Sequence, residues 1–356
     1  MFAQLAGQER LKHYFMKLLA TGKMPHSFLF YGPEGVGKTM AALELAKIIT
    51  CFNEEQRPCG VCASCVKFKT MSHPDVMLYF PVPGSMKPEA IQAVRGGIAS
   101  NPYKRIFLQK NASLLIDMVR EIKQRLRLQS YQGRGRVVIL LGCESLTTDT
   151  GNALLKILEE PPPNVTIILT TTSLDAILPT IRSRCHLILL SYLSVETIAE
   201  TLQQREGISA EEARYYATLS GGSYARALEY LQNDFKEMAK YCTDILLYCA
   251  EKPLLYTFEL IDVLTEKYNV NELKSILEFL IALLKYRVEI QVVSGTLPGE
   301  DEYFKLPDQF TSANIQTVEL VIDEIENSVD LLTKNVYLNI VLLVLFLKLR
   351  KIIQNE

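Results

Sequence analysis

Eight residues near the N-terminus carry the plainest chemistry in the chain. Gly32-Pro-Glu-Gly35-Val-Gly37-Lys38-Thr39 fits G-x-x-x-x-G-K-[ST] at every defined position, between a strand-like run and a helical pattern. Glycines there let backbone N–H groups converge on phosphate oxygens, and the helix start that follows adds positive potential. Lys38 can reach β- and γ-phosphates, and Thr39 can offer its hydroxyl to Mg2+. The expectation is a site for ATP or ADP with Mg2+.

A second constellation follows closely. Cys51-x7-Cys59-x2-Cys62-x2-Cys65 places four thiols within fifteen residues. The C-x-x-C-x-x-C turn presents thiolates to one Zn2+, and Cys51 closes the tetrahedron. Four sulfur ligands leave no open position, so the expected zinc is structural. His73, in a Ser-His-Pro-Asp turn, is expected to pack there rather than ligate. Cys143, Cys185, Cys242 and Cys249 lie among apolar neighbours and read as small core residues.

The hydrolytic half of the chemistry is missing from its usual place. Val137-Val-Ile-Leu-Leu141 reads as the strand on which a P-loop ATPase carries an Asp-Glu pair, one to hold magnesium and one to activate water. Here the pair is Leu141-Gly142. Glu144 stands two residues on, a shift of several ångströms, while catalytic placement tolerates about 1 Å. The expectation is a site that binds nucleotide and turns it over slowly or not at all.

These motifs need a scaffold, and the patterning supplies one. His26–Tyr31, Val137–Leu141 and Thr166–Thr171 read as buried strands, and Thr150–Glu160 as a helix stopped by Pro161-Pro-Pro. Strands alternating with helices predict an α/β domain with a parallel sheet covered on both faces. Beyond about residue 190 the pattern is helical. Ser209 and Glu212 form a capping box. Leu273, Ile276, Leu277, Leu280 and Leu284 mark one apolar face, and Ile315, Val318, Ile322, Ile325 and Val329 another. A loop from Ser294 to Thr311 separates them. Val336–Leu347 is too short to span a bilayer and predicts a buried helix.

Composition narrows the setting. The chain is 48% hydrophobic and 22% charged, as soluble proteins are, and a net charge of -2 shows no overall basic excess for nucleic acid. No export signal opens it, so a cytoplasmic location is expected. Met118–Leu128 predicts a helix with Arg120, Lys123 and Arg127 on one face, and Arg134 and Arg136 follow. That row is either a contact for DNA phosphates or the solvated face of an amphipathic helix. The segment Pro81–Asn111 fits no motif.

Several stretches together resemble one family: Pro25-His-Ser-Phe-Leu-Phe-Tyr-Gly-Pro-Glu-Gly-Val-Gly-Lys-Thr, Ser72-His-Pro-Asp, Asn152-Ala-Leu-Leu-Lys-Ile-Leu-Glu-Glu-Pro-Pro, and Leu178-Pro-Thr-Ile-Arg-Ser-Arg-Cys. They resemble the AAA+ clamp-loader subunits of bacterial DNA polymerase III, most of all the delta-prime kind, from about residue 3 to 230. The resemblance implies an AAA+ P-loop domain over 1–188 with the zinc module at 51–65 inserted, a small helical lid over 189–235, and an all-α C-terminal collar domain over 236–356. It implies a hetero-oligomer with motor and delta-type subunits that loads a sliding clamp onto primer–template DNA held through its phosphates, with no membrane involved.

The same resemblance suggests roles for single residues. Arg184, in Ser183-Arg-Cys185, is implied as an arginine finger acting in trans on the neighbouring ATP site. Thr171 or Thr172 matches the position that senses the γ-phosphate. Ser223 would cap a helix from which Arg226 reaches the chain's own nucleotide, with a plain capped helix as the alternative. Retention of Gly32–Thr39 without the acidic pair implies either a structural nucleotide or a relic. The alternative within the family is a hydrolysing gamma/tau-like motor. A small-molecule P-loop kinase would leave Ser183-Arg-Cys185 and the helical third domain without a role.

Overall fold

Short runs of β-branched and aromatic residues that are apolar on both faces can be buried only between two layers of helix. The computed structural model, which describes residues 1–104, 112–128, 130–131, 134–232, 235–293, 315–333 and 336–354, builds that arrangement. The predicted loop Ser294–Thr311 and the end of the unassigned segment, residues 105–111, lie outside the described residues. The first elements are α1 (Glu9–Thr21), β1 (Ser27–Tyr31), α2 (Lys38–Thr50), α3 (Ala63–Lys67), β2 (Val76–Tyr79), α4 (Pro88–Ser100), α5 (Ile116–Arg127) and β3 (Arg136–Leu140). They continue as α6 (Thr148–Glu159), β4 (Val165–Thr171), α7 (Pro179–Arg182), β5 (His186–Leu189) and α8 (Val195–Glu206). Helices alone follow: α9 (Ala210–Leu219), α10 (Tyr224–Gln232), α11 (Phe235–Ala250), α12 (Leu254–Lys267), α13 (Val270–Val293), α14 (Ile315–Thr333) and α15 (Leu338–Gln354).

The five strands form one parallel sheet in the order β2-β3-β4-β1-β5. β1 sits inside it, with Ser27 opposite Ile167 on β4 and Phe28 opposite His186 on β5. The three predicted strands are present within one residue of their expected ends. β2 and β5 were not foreseen, because four residues carry too little periodicity. Phe15 on α1 packs edge-on against Phe28 and Phe30 of β1, with ring centroids at 5.2 and 5.9 Å, and fixes that helix under the strand. On the opposite face, Leu29, Val138, Leu140, Ile167 and Leu169 pack with Val119, Ile122 and Leu126 of α5 and Leu154 and Leu158 of α6. Thr147 caps α6 by accepting from Thr150 N–H, and the helix ends before Pro161 as its sequence requires.

The described residues divide into two compact units, Met1–Arg205 with Gly222–Arg226, and Glu206–Gly221 with Ala227–Glu356. The second is a helical bundle. Ser209 and Glu212 make the predicted capping box at the start of α9, and the whole predicted face of α13 is buried. On α14, Val318, Ile322 and Ile325 are buried and Val329 packs against them, but Ile315, the first helical residue, is 38% exposed. The expectation of a buried helix holds for one face of α15 only. Val341, Leu342, Leu345 and Phe346 are in the core, whereas Ile340, Val344 and Leu347 project outward. Among the described residues its apolar N-terminal half is covered on one face. No helix among the described residues is long and apolar enough to cross a membrane.

Because Leu29 is wholly buried in the strand that carries the phosphate loop, Leu29→Ala should lower the unfolding free energy by about 2–5 kcal/mol, read by denaturant titration.

Candidate nucleotide and metal sites

In a parallel α/β sheet, ligands bind at the carboxyl ends of strands where the strand order switches. Three adjacent strands end at one cleft here. The phosphate loop follows β1, Leu141-Gly142 follows β3, and Thr170–Thr172 close β4. The loop owes its path to glycine. Gly32 has φ 140°, and a Cβ there would stand 2.0 Å from the Leu190 carbonyl oxygen. Gly35 has φ 79°, and its Cβ would fall 2.0 Å from Ser223 Oγ. Ala225 N–H donates to the Gly35 carbonyl at 3.1 Å, so residues 223–225 lie directly on the loop. Gln8 Nε2 donates to the carbonyls of Val36 and Ser191, joining the N-terminal segment to it.

Lys38 opens α2 and is 8% exposed. Its ammonium donates to the carbonyls of Gly32 at 2.7 Å and Pro33 at 2.5 Å, folded onto its own loop. Burial lowers its pKa to about 8, against the carboxylates of Glu144 and Glu34, which hold it up. The cleft, about 250 Å³, is lined by Gly35, Gly37, Lys38 and Thr39 on the loop side and by Leu141, Gly142, Glu144, Thr171 and Thr172 opposite. Leu141 is buried and its N–H donates to Tyr79 of β2, while Gly142 N–H donates to Thr170 Oγ1. The two positions where an acidic pair would stand therefore present no carboxylate.

Glu144 lies past the strand end, in the short turn Cys143–Ser145, as its sequence position implied. Its carboxylate nevertheless enters the same cleft and accepts from Thr172 Oγ1 at 2.9 Å. Strand counting alone missed this, because the turn carries the side chain back across the end of β4. Thr171 Oγ1 instead donates to the Ser173 carbonyl. Pro81, Pro102, Tyr103 and Lys104 complete the lining, from the segment that fits no sequence motif.

The remaining predicted residues divide by surroundings. Arg226 is not among the residues that line the cleft; its N–H donates to Ser223 Oγ at 3.4 Å, the helix cap foreseen for α10. Arg184 stands apart from the cleft, 36% exposed, with Nη2 2.7 Å from Glu159 Oε1 and Nη1 donating to the Thr180 carbonyl at 2.9 Å. Within the basic row, Arg136 is corrected. It is 8% exposed, and its guanidinium donates to the carbonyls of Arg125, Leu126 and Leu128, closing the C-terminus of α5, so it is not available to a phosphate at the surface. Arg134 pairs with Glu54, and Arg120 with Asp117. Lys123 and Arg127 share a shallow groove with Lys156.

The four cysteines converge. Cys51, Cys59, Cys62 and Cys65 have sulfurs all within 4.8 Å of one another, with Cys51 and Cys62 at 4.0 Å. A tetrahedron of Zn–S bonds of about 2.3 Å needs sulfurs about 3.8 Å apart, so the set fits a metal ion. Backbone N–H groups of Cys59, Cys62 and Cys65 point at the sulfurs of Cys51, Cys59 and Cys62 at 3.4–3.5 Å, the support a bound thiolate requires. Burial by itself would raise the Cys62 thiol, but N–H donation from Cys65 and Phe52 outweighs it and brings the pKa to about 6. His73 stays outside this set. Its Nδ1 accepts from Asp75 N–H and its Nε2 faces Ser64 Oγ at 3.0 Å. Of the other cysteines, Cys143, Cys242 and Cys249 are core residues as expected, while Cys185 is only partly buried. Elemental analysis of the purified chain should find about one transition-metal ion per molecule, lost in Cys62→Ser, and chelation should release four thiols to a colorimetric reagent.

Comparison with known proteins bears on the first unit most directly. The family model described as "DNA polymerase III, delta subunit" matches residues 7–194, just over half of the chain. The DNA polymerase III subunit gamma/tau of Mycobacterium tuberculosis is 32% identical over 226 residues, which are 62% of this chain and 34% of that protein. The subunit delta' of Haemophilus influenzae is 29% identical over 280 residues, covering 78% of this chain and 76% of its own. A solved gamma subunit-related protein of Thermotoga maritima aligns with 94% of this chain and 98% of its own at 17% identity, with a TM-score of 0.46. The chain thus spans about a third of the length of the gamma/tau relatives it matches. A family match over the loop, the wall that faces it and the cysteine cluster, on a parallel sheet with the phosphate loop at its interior strand, makes this chain a member of the DNA polymerase III delta subunit family.

Proposed function

We propose that this chain is a clamp-loader subunit of the delta-prime kind. It holds ATP or ADP with Mg2+ at Gly32–Thr39, hydrolyses it poorly by itself, and lends Arg184 to a neighbouring subunit's site. The observation that carries this is the cleft, where a complete phosphate loop faces Leu141 and Gly142. Grip and chemistry are separated across its two walls. Loss of a positioned catalytic group costs about 10²–10⁴ in rate, so turnover by the lone chain would be slight.

Arg184 suits a role outside its own chain. Its ion pair with Glu159 is exposed on both sides, at 36% and 48%, and such pairs contribute about 0–1 kcal/mol. Exchanging that carboxylate for a phosphoryl oxygen of a neighbour therefore costs little, and a guanidinium delivered in trans makes hydrolysis depend on assembly. Within the cleft, Thr39 would meet Mg2+ and Thr172 would face the γ-phosphate. Arg226 would need its helix N-terminus to shift toward the ligand. The cysteine cluster would hold Zn2+ as a structural ion. The partners proposed are motor and delta-type subunits, the sliding clamp, and primer–template DNA through its phosphates, in the cytoplasm, with the division 1–188, 189–235 and 236–356 retained.

One observation favours the hydrolysing, motor-type alternative. Glu144 brings a carboxylate into the cleft and is held by Thr172. Turnover of ATP by the lone chain would support that reading.

Two outcomes are expected. In the reconstituted loader, Arg184→Ala should assemble normally yet lose at least about tenfold of its DNA- and clamp-stimulated ATP turnover, while the lone chain is silent; turnover equal to wild type would overturn the finger. The second concerns pH. Lys38 has a pKa of about 8 when folded and 10.5 ordinarily, so the folded chain disfavours its charge between those values, and stability of the free chain should rise with pH there. Phosphate needs the charged form. ATP affinity should be level below pH 8 and fall by up to about tenfold per pH unit above it, whereas Lys38→Met should bind weakly without that bend.

A further inference from the structure

The cleft contains a side chain that the proposed function leaves without a role. Tyr103 is carried on a tight turn after α4, where Asn101 Oδ1 accepts from the N–H groups of both Tyr103 and Lys104 at 3.1 Å. Its side chain is 6% exposed and lies against the phosphate loop, since a Cβ on Gly37 would stand 3.2 Å from its hydroxyl. The phenol oxygen does two things at once. It accepts from Ala6 N–H at 2.7 Å and donates to the Gln4 carbonyl at 3.5 Å. The ring meets Tyr224 edge-on at 4.7 Å between centroids, and the Arg205 guanidinium lies over the Tyr224 ring. Burial pushes the phenol up to about 12, so it remains a neutral donor at ordinary pH.

A flat aromatic ring, bearing a donor and an acceptor at one edge and paired to a backbone N–H and a backbone carbonyl, is chemically what a purine presents. Adenine offers N1 as acceptor beside the N6 amino group as donor. The aromatic, hydrogen-bonding corner of the phosphate-loop cleft is thus already filled by the chain's own side chain. Lys38 and Thr39 line the same cleft.

We infer that Tyr103 is an internal stand-in for a nucleobase: it occupies the ring subsite of the cleft, so a bare polyphosphate binds without disturbing it, whereas a purine nucleotide must first displace it. The inference rests on the reading of Gly32–Thr39 as a phosphate site. Displacement breaks both hydrogen bonds of the phenol and exposes its ring, and this opposes nucleotide binding without touching the phosphate contacts. The chain would then hold nucleotide more weakly until something else draws Tyr103 out, so that affinity becomes dependent on the turn at Asn101–Lys104.

The test compares ATP with inorganic tripolyphosphate by titration calorimetry on the full chain, in wild type, Tyr103→Phe and Tyr103→Ala. Thermal melting of each variant checks that it is folded. Tyr103→Phe keeps the buried ring and removes the hydroxyl, so it guards against a variant that fails to fold. The expected result is ATP affinity raised by about tenfold or more in Tyr103→Ala and by a smaller factor in Tyr103→Phe, with tripolyphosphate affinity unchanged in both. Equal ATP affinity in all three overturns the inference and leaves the phosphate-site reading standing. Weaker ATP binding in Tyr103→Ala with unchanged tripolyphosphate also overturns it, by making Tyr103 a wall against which the base rests. Absence of tripolyphosphate binding in every variant overturns the phosphate-site reading, and the inference with it.

Discussion

The first unit depends on how closely other backbone can approach the loop after β1. At Gly32 the chain leaving β5 comes so near that its Leu190 carbonyl occupies the space of a Cβ. At Gly35 the Ser223 hydroxyl does the same, and Ala225 N–H bonds to the loop carbonyl beside it. The N-terminal segment arrives through Gln8. A loop able to cradle phosphate oxygens, because its N–H groups are unobstructed, is equally open to neighbouring chain segments. Glycine at these positions thus serves ligand geometry and packing through one property, the missing Cβ.

Electrostatics then separates holding from reacting. Burial makes the Lys38 ammonium costly, and two loop carbonyls together with the fields of Glu144 and Glu34 keep it in place. A polyanion in the cleft would relieve that cost, which is the physical sense of a buried lysine at the start of a helix. The opposite wall offers the Leu141 side chain and the Gly142 backbone where charge would be needed to polarise water. The carboxylate that does enter is tied to Thr172.

The cysteine cluster solves a different problem, how to close the connection between α2 and β2 with few apolar residues. Cys51 directly follows α2, and Cys62 caps α3 by accepting from Cys65 N–H. Thr50, Ser64 and His73 form a buried hydrogen-bonded chain from the end of α2 to the approach to β2. Four sulfurs around one ion would supply the cross-link that a larger hydrophobic core would otherwise have to provide.

Local pattern determined a good deal by itself. The phosphate loop, the spacing of the four cysteines, three strands, the capping box at Ser209 and the buried face of α13 were legible because each depends on residues near one another in the chain. Other features belong to the tertiary structure. Four-residue β2 and β5 exist only through pairing with longer neighbours. Arg136 reads as a surface cation in sequence and is buried by the carbonyls at the end of α5. Ile340, Val344 and Leu347 read as core, yet among the described residues they lie on the exposed face of α15. Glu144 and Tyr103 reach the cleft from a turn and from a segment without a motif, because their places are set by where strands end in space and not by any spacing along the chain. Periodicity and motif are local properties, whereas burial and convergence are decided only when distant segments meet.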